Sequence, residues 1–204
     1  LQWEGSAPAK EATPQVHLQP KEEGVYFGGT AGEVKAEGRF TLKNVADGDY
    51  RLHVFDRSED CYVKSARLGG EDVLPDGLTI AAGKAAGALE VVISCASGTL
   101  EGAVLNDQQQ PVTEARVVLI PEGERRNQDH LFESTSPDQY GHFIMKGIAP
   151  GDYKIFAWEN VEHDAYKDPE FLRRYEDAGK PITVGEGSKL NVQLQLIPAD
   201  KTQP

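Results

Sequence analysis

The residue types that most often carry out chemistry are few in this sequence and widely spaced. No C-x-x-C spacing accompanies Cys61 and Cys95, so a cysteine zinc site is not predicted. The five histidines form neither H-x-x-x-H nor H-E-x-x-H, the spacings that direct two imidazoles at one metal. Phosphate-binding glycine motifs and the G-x-S-x-G nucleophile turn are missing as well. We therefore predict no catalytic residue, metal or cofactor and no enzyme, unless a site assembles across distant strands.

The two cysteines flank segments that are typical of strands. Cys61 opens the segment 61–68, and Cys95 closes the segment 89–95. If these strands run antiparallel in one sheet, the start of one faces the end of the other. We therefore predict a Cys61–Cys95 disulfide, closing a loop of about 35 residues and stabilising the fold by ~3 kcal/mol. Such a bond implies an oxidising compartment; the alternative is two unrelated buried thiols.

The composition excludes several classes of protein. There are 21 basic and 33 acidic residues, a net charge of −12, whereas binding to a nucleic-acid backbone calls for a basic face. No apolar run approaches the roughly 18 residues of a membrane span. The 21 glycines and 12 prolines indicate a chain rich in turns. We expect neither a nucleic-acid partner nor a membrane span.

The elements that would position any site come from an internal repeat. Residues 38–56 align without gaps with residues 141–159. The identical pairs are Gly38/Gly141, Phe40/Phe143, Lys43/Lys146, Ala46/Ala149, Gly48/Gly151, Asp49/Asp152 and Tyr50/Tyr153. A period of about 100 residues is longer than a solenoid unit of roughly 20–50 and has the size of a small domain. We predict two homologous domains, 1–96 and 97–198, followed by a tail at 199–204.

Each repeat has the pattern of an all-β domain. Period-two alternation and flanking turn residues predict strands in the second repeat at 115–120, 152–158, 181–184 and 190–197. Strands this short and closely spaced favour a sandwich. One exception is Asp168-Pro169-Glu170, an N-cap followed by a proline at the first helical position. It predicts a short helix that continues to about Tyr175 and has no counterpart in the first repeat.

Several motifs of the second repeat resemble a known family. They are the opening strand from Gly98 to Val104, the turn to Pro111, the segment 115–119, Gly141-His142-Phe143 and Ala149-Pro150-Gly151-Asp152-Tyr153. Together they resemble the carboxypeptidase regulatory-like domain, a transthyretin-like or prealbumin-like β-sandwich. The tandem copies are similar to those in secreted proteins of environmental bacteria. The resemblance implies two tandem prealbumin-like or Ig-like sandwiches that act as accessory, adhesive or structural modules.

Two tyrosines have a structural role in this interpretation. Tyr50 and Tyr153 each follow a glycine turn, where the ring enters the core and the hydroxyl bonds a backbone group. We predict that neither binds a ligand.

The first repeat differs from the second at its opening strand. Before its proline-containing loop it has only Leu1, Gln2, Trp3, Glu4 and Gly5, whereas the second has the complete strand 98–106. A truncated strand exposes a sheet edge, to which another chain can add a strand. We therefore predict an assembly edge at Leu1, Gln2, Trp3 and Glu4. The alternatives are that a short strand suffices there, or that the whole protein has further residues before Leu1.

Outward aromatic side chains are the candidate ligand contacts. If Tyr153 faces the core, alternation points Phe156 and Trp158 outward, and Phe55 has the corresponding position in the first repeat. Such rings stack on sugars or on a partner surface. The alternative is that the helix at 168–175 covers those of the second repeat.

These features favour a non-enzymatic extracellular module, secreted or at the cell surface. Its expected partners are copies of itself or other domains of a longer chain, assembled into a surface filament by strand addition or end-to-end packing. The alternative is a carbohydrate-binding accessory module of a larger secreted protein, with polysaccharide as its ligand.

Overall fold

The computed structural model describes residues 1–5, 12–21, 30–81 and 87–199. These residues form short strands and one α-helix of five residues, which confirms an all-β fold with one short helix. The chain divides into two compact units, Leu1–Ala96 and Ser97–Pro204. The predicted tail at 199–204 lies outside the described residues, apart from Ala199.

The first unit consists of two four-stranded sheets. Its strands are β1 (Gln2–Glu4), β2 (Gln15–Pro20), β3 (Thr30–Glu33), β4 (Gly48–Phe55), β5 (Tyr62–Leu68), β6 (Glu71–Asp72), β7 (Leu78–Ile80) and β8 (Leu89–Ser94). One sheet has the order β1-β8-β5-β6 and the other β3-β2-β4-β7. The strand β1 runs parallel to β8, and the remaining pairs are antiparallel.

The second unit has a four-stranded and a three-stranded sheet. Its strands are β9 (Gly98–Leu105), β10 (Arg116–Pro121), β11 (Glu133–Thr135), β12 (His142–Ile148), β13 (Gly151–Trp158), β14 (Lys180–Val184) and β15 (Lys189–Gln195). The sheets have the orders β11-β10-β13-β14 and β12-β9-β15. The helix α1 spans Pro169–Arg173, and single 3₁₀ turns occur at Gly123–Asn127, Asp129–Leu131, Ala165–Lys167 and Glu176–Ala178.

The strand β4 and its counterpart β13 show why the sequence forms this core. Every second residue of each strand faces inward and is buried, beginning with Tyr50 and Tyr153. The Tyr50 hydroxyl donates to the Ala46 carbonyl at 2.9 Å, and the Tyr153 hydroxyl donates to the Ala149 carbonyl at 2.8 Å. The predicted structural role of both tyrosines is confirmed.

A disulfide joins the two cysteines of the first unit. Cys61 directly precedes β5 and Cys95 directly follows β8, and these antiparallel strands bring Tyr62 opposite Ser94. The sulfurs therefore meet at one end of the strand pair, as the spacing predicts. Cys61 is buried, and the bond packs against the core of this unit.

A helical insert distinguishes the second unit from the first. Residues 159–179 replace the segment that contains β5 in the first unit, and they carry α1. A carboxylate oxygen of Asp168 accepts a bond from the Glu170 backbone N–H at 2.8 Å, which caps the helix. The insert packs its apolar side chains on the outer face of β10 and β13. We call these residues, 159–179, the insert.

Candidate functional site

In the first unit, β1 pairs with only part of the length of β8. In the second unit, β15 pairs with β9 along all seven of its residues, Lys189–Gln195. The corresponding strand β8 pairs with β1 at only three residues, Val92, Ile93 and Ser94. Within the described part of the chain, no strand lies on that side of Leu89 and Glu90. We call this position beside Leu89 and Glu90 the strand gap.

Residues 40–45 of the first unit form no strand, unlike the aligned residues of the second unit. Residues 40–45 align with residues of β12, which pairs with β9 in the second unit. They still alternate between exposed and half-buried from Arg39 to Lys43, as a strand does. Within the described ranges, however, residues 40–45 make no backbone hydrogen bond to other backbone groups. The segment therefore has the side-chain pattern of a strand without a partner strand.

The core beside the gap is less buried than its counterpart. Phe40, Leu42 and Val45 are half-buried. The aligned residues of the second unit are Phe143, 5% exposed, Met145, 5% exposed, and Ile148, 1% exposed. These apolar positions are buried in the second unit, where β9 pairs with both β12 and β15.

The register of β1 on β8 can be compared with that of β9 on β15. Trp3 pairs with Ile93, whereas Val104 pairs with Leu194. The burial patterns of β8 and β15 match when Ile93 is placed on Leu194. Trp3 then corresponds to Val104 and Leu1 to Gly102. Residues 98–101 then align with positions before Leu1, and such positions would lie beside residues 87–90.

The backbone chemistry of the gap suits an added strand. In the second unit, Thr99 N–H donates to the Ser188 carbonyl and Leu196 N–H to the Leu105 carbonyl. In a parallel pair this alternation points every second residue of β15, Leu190 and Val192 among them, toward β9. The same geometry in β8 points both backbone groups of Leu89 and the N–H of Val91 into the gap, while the Val91 carbonyl faces Gln2 of β1. Unpaired groups of this kind, beside an incompletely covered core, are the features that strand addition uses.

The predicted assembly residues lie next to the gap and are anchored in their own sheet. Gln2, Trp3 and Glu4 form β1 and pair with β8. Trp3 packs against the core, and the Glu4 carboxylate lies 2.5 Å from the Lys64 ammonium of β5. The Leu1 nitrogen donates to the Gly38 carbonyl at 2.5 Å. Leu89 and Val91 of β8 border the same side of the sheet as β1. Sequence reasoning did not single them out, because residues 89–95 have the pattern of an ordinary complete strand.

Two of the predicted ligand contacts are wrong. Phe156 is 1% exposed and Trp158 is 0% exposed. They do alternate away from the core, but the insert covers them with Tyr166, Leu172 and Tyr175. The Trp158 ring lies 5.9 Å from that of Tyr175, between ring centroids. A buried ring cannot stack on a sugar, so the predicted alternative, coverage by the helix, holds for these residues.

The remaining candidate, Phe55, is open. It is 51% exposed and lies edge-on to His17, with 4.8 Å between ring centroids. His17 and His53 stand directly opposite each other on β2 and β4. The first unit has β5 where the second has its insert, and among its described residues no helix covers this face. Ligand binding by Phe55 stays a prediction.

The described residues contain neither a metal-binding cluster nor a membrane-spanning helix. No group of three or more His, Cys, Asp or Glu side chains there is arranged to hold a metal ion. In the same ranges, no helix combines the length and apolar character needed to cross a membrane.

Comparison with known proteins gives distant structural neighbours. No family model matches the chain, and no curated protein matches it. A putative carbohydrate-binding protein from Pseudomonas aeruginosa is 15% identical and has a TM-score of 0.34, over 48% of this chain and 88% of that one. The minor pilin of Streptococcus agalactiae is 13% identical, with a TM-score of 0.33 over 93% of this chain and 83% of that one. The major pilin subunit of Bacillus cereus is 14% identical, with a TM-score of 0.34 over 91% and 59%. Similarities this low assign neither a family nor a function to the chain.

Proposed function

We propose that this chain is a non-enzymatic, extracellular structural module that assembles by accepting a β-strand into its first unit. The observation that supports this is the strand gap. Among the described residues, no strand pairs with the backbone groups of Leu89 on the β1 side, and Phe40, Leu42 and Val45 of the same core are half-buried. An added strand would pair these groups and shield this apolar surface, so its binding is favourable in both respects.

The extracellular location and the choice of partner rest on separate features. A disulfide between Cys61 and Cys95 persists in an oxidising compartment. The proposed strand donors are copies of this chain or other domains of a longer one. The resemblance to the carboxypeptidase regulatory-like domain, with its structural and adhesive members, is compatible with this role. Carbohydrate binding is the second candidate, and it is supported by a different surface described in the next subsection.

The proposed function can be tested by adding residues before Leu1, so that the chain's own strand occupies the strand gap. Because Leu1 corresponds to Gly102, a Gly-Thr-Leu-Glu extension placed before Leu1 reproduces the missing residues of the complete strand. A Gly-Ser-Gly-Ser extension of the same length is the control. Light scattering and negative-stain electron microscopy of the oxidised chain are compared across a concentration series for the parent and both variants.

We expect the parent and the Gly-Ser-Gly-Ser variant to associate into ordered polymers as concentration rises. The Gly-Thr-Leu-Glu variant should stay monomeric, because its own strand occupies the gap. An added peptide with the sequence of residues 98–105 should also disperse the parent polymers, and a scrambled peptide should not. A parent chain that stays monomeric up to about millimolar concentration, well above the dissociation constant of a specific contact, contradicts the proposal.

A further inference from the structure

The outer face of the three-stranded sheet β12-β9-β15 forms a groove with a volume of about 680 Å³. It lies entirely within the second unit, and neither the strand gap nor the predicted aromatic residues belong to it. Its floor is built on β9, the central strand, and its sides are formed by β12 and β15 together with Thr135 and Ser136 at the end of β11. We call it the sheet groove.

The groove presents two rows of side chains across the three strands. In one row Glu101 pairs with Ile144 on one side and with Asn191 on the other. In the next row Ala103 lies between His142 and Gln193. The small side chain of Ala103 lowers the floor between two polar neighbours.

The hydrogen-bonding groups of the rows are available to a ligand. Glu101 and Asn191 are exposed, and their side chains make no hydrogen bond among the described residues. The Gln193 side-chain N–H donates to Gln109 at 3.2 Å, which leaves the Gln193 carbonyl oxygen as an acceptor. Carboxylate, amide and imidazole groups therefore offer both donors and acceptors within two strand spacings.

The neighbouring loop is held in place by a carboxylate at the groove's edge. One oxygen of Asp138 accepts bonds from the backbone N–H groups of Tyr140 at 2.8 Å and His142 at 2.9 Å. These bonds lower the pKa of Asp138, with the bond from His142 as the largest cause. The loop end and His142 are thus fixed before any ligand arrives.

Two classes of ligand fit this groove poorly. An extended peptide binds by pairing with a sheet edge, but β9 is paired on both sides and offers no free backbone groups within the groove. A polyanion such as a nucleic acid or a sulfated polysaccharide would face Glu101 and Asp138 in a chain of net charge −12.

The remaining features suit a neutral saccharide. Sugar hydroxyls donate and accept at once, and they match the mixed donors and acceptors of Glu101, Asn191 and His142. Ile144, which is 48% exposed, supplies an apolar contact for the C–H face of a sugar ring. We infer that the sheet groove binds a neutral polysaccharide chain, in a role independent of strand addition.

The test titrates the full chain with neutral oligosaccharides, namely cellohexaose, xylohexaose and mannohexaose. An oligogalacturonate and an unrelated hexapeptide represent the other two classes. Binding is followed by calorimetry and by the amide NMR shifts of β9, β12 and β15. The Gly-Thr-Leu-Glu variant is used in parallel, so that a failure of assembly and a failure of saccharide binding are seen separately.

Three variants define the site. Asn191→Ala and Glu101→Gln should each weaken binding about tenfold, because the first removes an amide from the rows and the second replaces a charged carboxylate oxygen, an acceptor, with an N–H₂ donor. Lys189→Ala, an exposed residue of the same strand outside the groove, should leave affinity unchanged. All three positions are outward-facing, and circular dichroism checks that each variant is folded.

The proposal is overturned if none of the neutral oligosaccharides binds at millimolar concentration. It is also overturned if the shifted amides lie away from the three strands, or if Asn191→Ala and Glu101→Gln bind as the parent does. Preferential binding of the hexapeptide or of the oligogalacturonate would assign the groove to that class of ligand instead.

Discussion

At the scale of single residues, the two repeats use the same side chains for the same bonds. Each tyrosine that follows the repeated Gly-Asp pair donates to a carbonyl four residues upstream. The aspartates act alike, since Thr183 donates to Asp152 at 2.8 Å and Thr79 donates to Asp49. These residues were predictable as structural because their bonds are local in sequence and recur in both repeats.

Removing a tyrosine hydroxyl should destabilise the second unit. In Tyr153→Phe, the Ala149 carbonyl loses its partner in a fully buried position, and we expect the free energy of unfolding to fall by about 1–2 kcal/mol. Urea denaturation measures the change. Tyr140→Phe is the matched control, since Tyr140 is 64% exposed and should change stability by less than about 0.5 kcal/mol. Equal effects would contradict a structural role for the Tyr153 hydroxyl.

A charged cluster ties the insert to the sheet beneath it. The Glu176 carboxylate lies 2.7 Å from both the Arg126 guanidinium and the Lys154 ammonium. The bond from Arg126, with a smaller contribution from Lys154, lowers the pKa of Glu176. Because the folded-state pKa lies below the unfolded one, the stabilisation is complete above the ordinary glutamate value of 4.5 and is lost as pH falls through the lowered pKa.

Glu176→Gln should therefore reduce stability at neutral pH and not under strongly acidic conditions. We expect a loss of about 1 kcal/mol at pH 7, because the half-exposed cluster is partly screened by water. Thermal unfolding at a series of pH values measures it. Glu170→Gln, an exposed acidic residue of the same insert, should have little effect at any pH. A Glu176→Gln deficit that is independent of pH would argue against the ion pairs as its cause.

At the scale of elements, the corresponding strands β4 and β13 alternate in the same way but have different surroundings on their outer faces. Phe55 and Trp158 occupy equivalent positions, yet one is 51% exposed and the other 0%. Period-two alternation predicts which way a side chain points, but not what packs on top of it. The insert decides this, and its covering role could be considered from the sequence only as an alternative.

The aligned pair of aromatic residues offers a direct comparison. The indole N–H of Trp158 has no hydrogen-bond partner within the described ranges, so apolar and ring contacts hold its side chain. Trp158→Ala should lower the free energy of unfolding of the second unit by about 3–5 kcal/mol. Phe55→Ala should change that of the first by less than about 1 kcal/mol, because its ring is half exposed. Denaturant unfolding compares them, and a similar cost for both would show that the insert does not shield Trp158.

At the scale of the whole molecule, each unit has its own core, and the two cores differ in how completely their apolar residues are buried. Sequence alone predicted the strands, the repeat and the disulfide, because each depends on residue patterns. The strand gap could not be predicted with the same certainty. It depends on which distant strand pairs with β8, and only the register of β1 shows that Leu89 and Glu90, although paired with β5, have no strand partner on the β1 side among the described residues.

Calorimetry should resolve these two cores as two unfolding transitions. We assign the lower one to Leu1–Ala96, whose apolar residues beside the gap are half-buried. Reducing the disulfide removes about 3 kcal/mol from this unit and should lower its transition by more than about 10 °C. The upper transition should not move. A reductant that shifts both transitions, or neither, would contradict the assignment.

The chain contains two tryptophans, and each unit has one of them. Trp3 is half-buried on β1 next to the strand gap, while Trp158 lies fully enclosed under the insert. Their intrinsic fluorescence therefore reports on separate events within a single unlabelled molecule. Water-soluble quenchers should reach Trp3 and not Trp158, and occupation of the gap should change the emission of Trp3 alone.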